Sequence, residues 1–270
     1  MQIIALITDR PKNDFYSSAV KGRLLSAVAD AQFFEISERM PMHQVETAAF
    51  MLKYLYMNFP ENTIFIIGIK SEATNDHPIV IIEKNKRFFI GADSGLFSLA
   101  LDYADKLLVV NPELYRTNTM FLELSLFPEL AAAISSTGFP EHLGTAAKTL
   151  NKCSQFLPVV ENNAISGKII YIDAYKNAIT NIDKKLFEET GKGRRFEITI
   201  QTNRNKITTI NTSYSQSSLG DLLAIFNHIN LLEIATYESP AAELLSLNLS
   251  SAVRVLFFNE VPKTDNPNLF

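Results

Sequence analysis

The 270-residue sequence has no tryptophan, a single cysteine and no long run of one charge sign. A lone Cys153 cannot close an internal disulfide, and it excludes a metal site built from several thiolates. Histidine is scarce as well. His43, His142 and His228 show no ligand spacing, so no metal site is expected. Lys plus Arg number 25 against 29 Asp plus Glu, a net charge of -4, which lacks the basic surplus of a nucleic-acid binder. No stretch approaches the roughly 20 apolar residues of a membrane helix. Neither nucleic acid nor a membrane is expected as a partner. The opening MQIIALITDR has no basic n-region and only a short apolar run before Asp9, which reads as a buried strand rather than a signal peptide. A cytoplasmic location follows as the expectation, with the sequons at Asn211 and Asn248 taken as accidental.

What is present is apolar residue, 47% of the chain against 20% charged, enough for a sizeable core and too much for a disordered chain. The length suits one large α/β domain or two smaller ones. Residues 1–150 alternate two periods. Short apolar runs at Ile3–Ile7, Gln32–Ile36, Ile64–Ile69 and Lys106–Val110 read as strands, and Ile79–Glu83 with Phe88–Gly91 as a pair joined by Lys84-Asn85-Lys86. Helical spacing runs over Tyr16–Ala29, His43–Met57, Leu96–Tyr103 and Leu126–Ser135, with Asn13 or Asp14 as the first N-cap. The alternation predicts an α/β domain with a mostly parallel sheet.

The texture changes after Leu150. Residues 151–167, with Pro158 and little periodicity, read as a linker. Residues 168–262 are rich in β-branched residues. Strands are expected at Ile169–Ile172, Arg195–Thr202, Lys206–Asn211, Asn230–Thr236 and Val253–Phe258, with one helix at Pro240–Leu247. That is a smaller all-β sandwich or barrel. Residues 263–270 read as a tail.

Three segments carry chemistry. In the first, Asp9 follows the first strand, where open α/β sheets bind ligands, and an ionised carboxylate offers acceptors to a sugar diol. The bland alternative is that Asp9 and Asp14 only satisfy loop amides and cap the helix. The second is Gly91-Ala92-Asp93-Ser94-Gly95-Leu96-Phe97-Ser98, otherwise a helix-starting turn with Asp93 or Ser94 as cap. The third is Tyr171-Ile172-Asp173-Ala174-Tyr175-Lys176-Asn177-Ala178-Ile179-Thr180-Asn181-Ile182, otherwise a plain hairpin turn.

In order and spacing these segments resemble the S-adenosyl-L-methionine hydroxide adenosyltransferases, relatives of the fluorinating and chlorinating enzymes. Thr8-Asp9, Asp14 and Lys21-Gly22 are similar to the family's opening. Ala92–Phe97 is similar to its Pro-Asp-Asn-Gly-Leu-Leu, and Ile172–Ile182 to its Ile-Asp-x-Phe-Gly-Asn-x-x-Thr-Asn-Ile. A late Leu-Glu-Ile-Ala and Ala-Ala recur as Leu232–Ala235 and Ala241-Ala242. The resemblance implies an N-terminal α/β domain, a C-terminal β-barrel, and a homotrimer that binds a nucleoside between the N-domain of one subunit and the C-domain of its neighbour. It implies that Asp9 binds the ribose hydroxyls, that Asp14 and Asp173 hold the amino acid portion, and that Asn177 hydrogen-bonds adenine. S-adenosyl-L-methionine is then substrate or ligand, with no cofactor beside it. Water or hydroxide displaces methionine from the ribose C5′.

The family's water-holding Asp, Arg and His are missing at the expected places. Its Asp-Pro-Gly-Val-Gly stretch falls on Ile67–Pro78, with Asp76-His77 where arginines are usual. Its Thr-Phe-His-Gly-Arg-Asp falls on Thr119–Leu124, so that Phe121 stands for the His and Glu123-Leu124 for the Arg-Asp. Arg10-Pro11 replaces Phe-Gly, and Lys176 replaces a glycine. Asp76 and His77 are the candidates for a rebuilt water-activating group, with Glu72 and Glu123 nearby; the alternative for His77 is a solvated turn. Two function classes compete: a hydrolase of S-adenosyl-L-methionine with an altered nucleophile site, and a non-enzymatic trimer that binds the nucleoside. An unrelated α/β enzyme for a phosphorylated substrate ranks last, for want of a Gly-rich phosphate loop.

Overall fold

The computed structural model describes residues 1–11, 13–36, 44–115, 120–153, 157–201 and 206–258. His43, Thr119 and the expected tail lie outside them. The chain divides into two compact units, Met1–Gln155 and Phe156–Phe270.

The first unit is an α/β layer structure. Its elements are β1 (Gln2–Thr8), α1 (Phe15–Ala27), β2 (Ala31–Glu35), α2 (Val45–Leu55), β3 (Ile64–Gly68), β4 (Ile79–Lys84), β5 (Arg87–Ala92), α3 (Leu96–Ala100), β6 (Lys106–Val110), α4 (Leu126–Thr137) and β7 (Gly144–Ala146). Successive strand residues point to opposite faces, so a continuous apolar run requires cover on both. Ile4, Leu6, Ile64 and Ile66 join Leu24 of α1 and Phe127 of α4 in one core. Ala5, Ile7, Phe65 and Ile67 join Leu52 of α2 and Phe97 of α3 in the other.

The sheet order is β2-β1-β3-β5-β4-β6-β7. Pairs β2-β1, β1-β3 and β3-β5 are parallel; β5-β4, β4-β6 and β6-β7 are antiparallel. The sheet is therefore mixed, less parallel than the alternating pattern suggested. The reason is local. Asn85 and Lys86 both take positive φ, 48° and 59°, a two-residue hairpin turn that folds β5 directly back on β4. The chain leaves β1 for β2 on one side and then crosses to β3 on the other. A switch point lies between β1 and β3, where Thr8 and Gly68 pair at the C-terminal ends.

The second unit contains β8 (Val159–Glu161), β9 (Ala164–Ile172), β10 (Ala178–Asp183), α5 (Lys184–Gly191), β11 (Phe196–Ile200), β12 (Lys206–Ile207), β13 (Leu222–Phe226), β14 (Leu231–Thr236), α6 (Ala241–Leu244) and β15 (Ala252–Phe257). Its antiparallel strands run β12-β11-β15-β9-β10-β14-β13, with β8 also on β9. An Asn211–Ile225 bridge brings the chain after β12 against β13, so the sheet nearly closes into a barrel. Ile169, Ile182, Ile198, Leu232 and Val255 fill it. Strand β9 begins inside the stretch read as a linker, because Ala164 and Ile165 are fully buried against Leu256 and Val255. Helix α5 was not expected. Asp183 starts it, its Oδ1 accepting from the Leu186 amide at 2.8 Å.

Candidate functional site

The switch point of the first unit gathers charge. Asp9 and Arg10 follow β1 directly, and both are half-buried. Asp14 caps α1, its Oδ2 accepting from the Tyr16 amide at 2.9 Å. From the segment before α4 comes Glu123, whose side chain is 1% exposed. Its Oε1 accepts from Arg10 Nη2 at 2.8 Å and from Ser71 Oγ at 2.8 Å. Its Oε2 is buried and has no partner among the described residues. Gly68 makes the room. A Cβ there would lie 2.9 Å from Glu123 Oε1 and 3.0 Å from Thr8 Cγ2. Buried Leu122 and Leu126 anchor the segment on either side. Phe121, with φ 52°, stacks on Tyr16 at 4.8 Å, and the Arg10 guanidinium lies 5.9 Å from the Phe121 ring centre.

Asp76 and His77 occupy an exposed turn. The Thr74 amide donates to the His77 carbonyl at 3.1 Å, and the His77 amide donates to Thr74 Oγ1 at 3.0 Å. Asn151 ties this turn to the second segment, its Nδ2 donating to the carbonyls of Asp76 and Asp93, both at 2.6 Å. The Asn151 amide donates to Asp93 Oδ2 at 2.8 Å, while Oδ1 is buried without a partner among the described residues. Burial pushes the Asp93 carboxyl up, against the opposing pull of the Asn151 amide and the His77 charge. The cap of α3 is Gly95 at φ 91°, with no side-chain cap bond, so neither Asp93 nor Ser94 caps it. A Cβ on Gly95 would meet that of Cys153 at 2.8 Å.

In the second unit the turn from β9 to β10 brings Asp173 and Asn177 together. The Asn177 amide donates to Asp173 Oδ1 at 2.8 Å and its side-chain Nδ2 to Oδ2 at 3.3 Å. The turn closes with the Asp173 amide on the Asn177 carbonyl at 3.0 Å. Lys176 sits at φ 67°, a left-handed conformation that explains why glycine suits this position in the family pattern. Its carbonyl accepts from the Ala242 amide at 2.8 Å, so the Ala241-Ala242 segment packs behind the turn.

Beside it, Glu233 of β14 is buried, facing Ile179 in register. Its Oε1 accepts from the Tyr214 hydroxyl at 2.6 Å and its Oε2 from Asn227 Nδ2 at 3.1 Å. Burial raises the Tyr214 pKa, and the Glu233 hydrogen bond and charge and the Asp173 charge raise it further. Burial and then the Asp173 charge raise that of Tyr171. Tyr171 lies in the third segment with no role assigned to it, and Tyr214 and Asn227 were not singled out in the sequence, because a tyrosine or asparagine outside a motif carries no signal of its own. Opposite charge at Arg10 and Glu123 was visible, but nothing in spacing joins residues so far apart. Among the described residues no three His, Cys, Asp or Glu side chains cluster as a metal site, and no helix is long and apolar enough to cross a membrane.

Known proteins share this fold. A conserved protein of Thermotoga maritima superposes with a TM-score of 0.82 at 22% identity, over 94% of this chain and 100% of its own. A conserved protein of Thermus thermophilus gives 0.72 at 20%, over 95% and 100%. At such identities the likeness is one of fold. A sequence relative, the (R)-S-adenosyl-L-methionine hydrolase of Methanocaldococcus jannaschii, is 23% identical over 268 residues, 95% of this chain and 97% of the relative. Residues 4–144 match the SAM hydroxide adenosyltransferase N-terminal domain and residues 167–254 its C-terminal domain. Both matches coincide with the two units and take in Asp9, Asp14, Asp173 and Asn177, so the chain belongs to the SAM hydroxide adenosyltransferase family.

Proposed function

We propose that the protein hydrolyses S-adenosyl-L-methionine at the ribose C5′ to adenosine and methionine. The observation that carries this reading is the match of both family domains along nearly the whole chain. Asp9, at the end of β1, accepts from the ribose hydroxyls through its two oxygens. Asp14 and Asp173 hold the amino acid portion. Asn177, oriented by Asp173, hydrogen-bonds adenine. The sulfonium is a charged leaving group already, so the reaction asks the protein to align an oxygen nucleophile behind C5′ and strip excess water from it. The ligand is substrate, and no cofactor is needed for such a displacement. The working form is a homotrimer, which light scattering of the purified chain tests.

A second reading has a specific observation behind it. Asp76 and His77 are exposed, and Phe121 stands where the family has a histidine, which favours a trimer that binds the nucleoside without turning it over. One experiment separates the two. Purified protein is incubated with each sulfonium epimer of S-adenosyl-L-methionine, since the relative is named for the (R) form. Adenosine and methionine are quantified with Asp9→Ala as control, and binding is measured by calorimetry. Product above the uncatalysed rate, lost in Asp9→Ala, supports hydrolysis. Binding without product supports the second reading, and neither binding nor product refutes both.

A further inference from the structure

We infer that Arg10, Ser71 and Glu123 form the centre that holds and deprotonates the attacking water, an inference that rests on the hydrolytic reading above. Three separate departures from the family pattern supply them: the residue after Asp9, the loop after β3, and the segment before α4. The fold brings all three to one carboxylate. Arg10 Nη2 and Ser71 Oγ, each at 2.8 Å, both donate to Oε1. That leaves Oε2 buried with its lone pairs unused among the described residues. A carboxylate oxygen shut away from solvent without a donor costs free energy, and such atoms mark places where a water or ligand belongs. A water donating to Oε2 satisfies it and sits at the C-terminal ends of β1 and β3, beside the residue that takes the ribose.

The chemistry balances with what is present. The water oxygen bonds to C5′ as the C5′–S bond breaks. That bond's electron pair goes to sulfur, which leaves as the neutral thioether of methionine. The water's proton passes to Glu123 Oε2 and from there to solvent, one per turnover. Arg10 fixes the carboxylate between events, and Ser71 sets its plane. Two donors on one oxygen position the group without blocking the other.

The test uses the full chain and reads turnover and affinity separately. Glu123→Gln keeps size and an acceptor for Arg10 but cannot take a proton. Its kcat is expected to fall by about 10²–10⁴-fold while the calorimetric Kd for S-adenosyl-L-methionine changes by less than about threefold. Glu123→Asp, with a carboxylate set back by one methylene, should recover at least about tenfold of the loss, a rescue that a merely structural role would not produce. A Glu123→Gln kcat within about threefold of the parent protein overturns the inference while leaving hydrolysis intact. Should circular dichroism show that Glu123→Gln does not fold, Ser71→Ala decides: kcat is expected to drop about 3–10-fold at unchanged Kd, the worth of one hydrogen bond to a charged group. No drop overturns the inference. If the parent protein neither binds nor hydrolyses the substrate, the hydrolytic reading fails first and this one with it.

Discussion

Replacing Arg10 by methionine asks how much fold stability the Arg10–Glu123 pair holds in its present form. Glu123 is 1% exposed and Arg10 21%, so the substitution takes the charged donor from a buried carboxylate and leaves Ser71 as its remaining donor among the described residues. Removing one partner of a buried pair typically costs 3–5 kcal/mol. Ser71 persists, and the arginine side is partly wet, so the lower end, about 3 kcal/mol, is expected here. For a unit of this size each kcal/mol moves Tm by about 2–4 °C, giving a loss of about 6–12 °C. Glu123→Leu alone should cost less, because Arg10 can turn its guanidinium outward through its exposed side. The double variant Arg10→Met/Glu123→Leu should regain most of the loss, since an apolar pair of similar volume is often as stable as a buried ion pair. Melting followed by circular dichroism reads all four proteins at one pH. The reasoning is refuted if Arg10→Met melts within about 2 °C of the parent, or if the double variant is no more stable than Arg10→Met.

Three other perturbations test the site's surroundings. Gly95→Ala should destabilise by about 2–4 kcal/mol in urea unfolding, the sum of a left-handed φ of 91° and a Cβ contact at 2.8 Å with Cys153; adding Cys153→Gly should return the contact part, and no recovery would refute the steric account. Because the Asp93 pKa is raised in the fold, the folded state binds that proton more tightly than the unfolded chain and stability gains as pH falls toward about 4. Asp93→Asn lacks this gain, so its stability relative to the parent should be greatest at neutral pH and decline on acidification, and the opposite trend would count against burial as the cause. Tyr214 also has a raised pKa, so its contribution is intact below the unfolded value of about 10 and is lost as pH rises beyond it. Tyr214→Phe should cost about 1–2 kcal/mol at neutral pH, leaving Glu233 Oε1 short of a donor, and should show a shallower alkaline decline than the parent.

Much of the fold was legible because burial writes itself into spacing. A run such as Ile3–Ile7 has no polar face to give water, so it had to be a strand covered twice, and Ile4 and Leu6 do face α1 and α4 while Ala5 and Ile7 face α2. Turn chemistry was legible for the same local reason at Asn85-Lys86. Two kinds of feature were not. Strand β13 and helix α5 are short, and their apolar residues match either period until their partners are known. The expected strand at Lys206–Asn211 forms a ladder only at Lys206–Ile207, since its later residues meet β13 at a single bridge. These are decisions of tertiary pairing, which propensity does not carry.

The site divides along the same line. Asp173 and Asn177 lie four residues apart on one turn, and a motif can encode that distance. Arg10, Ser71 and Glu123 belong to segments far apart in the chain: Thr8 pairs with Gly68, putting the loops after β1 and β3 side by side, and the segment before α4 brings Glu123 to both. Taken one segment at a time, Arg10 for an aromatic residue and Glu123 for an arginine are two separate losses. Placed together they are one gain, a cation and an anion introduced on facing segments, each of which would be costly in a buried setting without the other. Gly68 shows that the surroundings are fitted to the pair, because any side chain there would press on Glu123 Oε1. A family pattern therefore reads this region as stripped of its charged groups, whereas the folded chain carries a charged centre of different composition. The missing Asp, Arg and His do not by themselves argue for an inert protein.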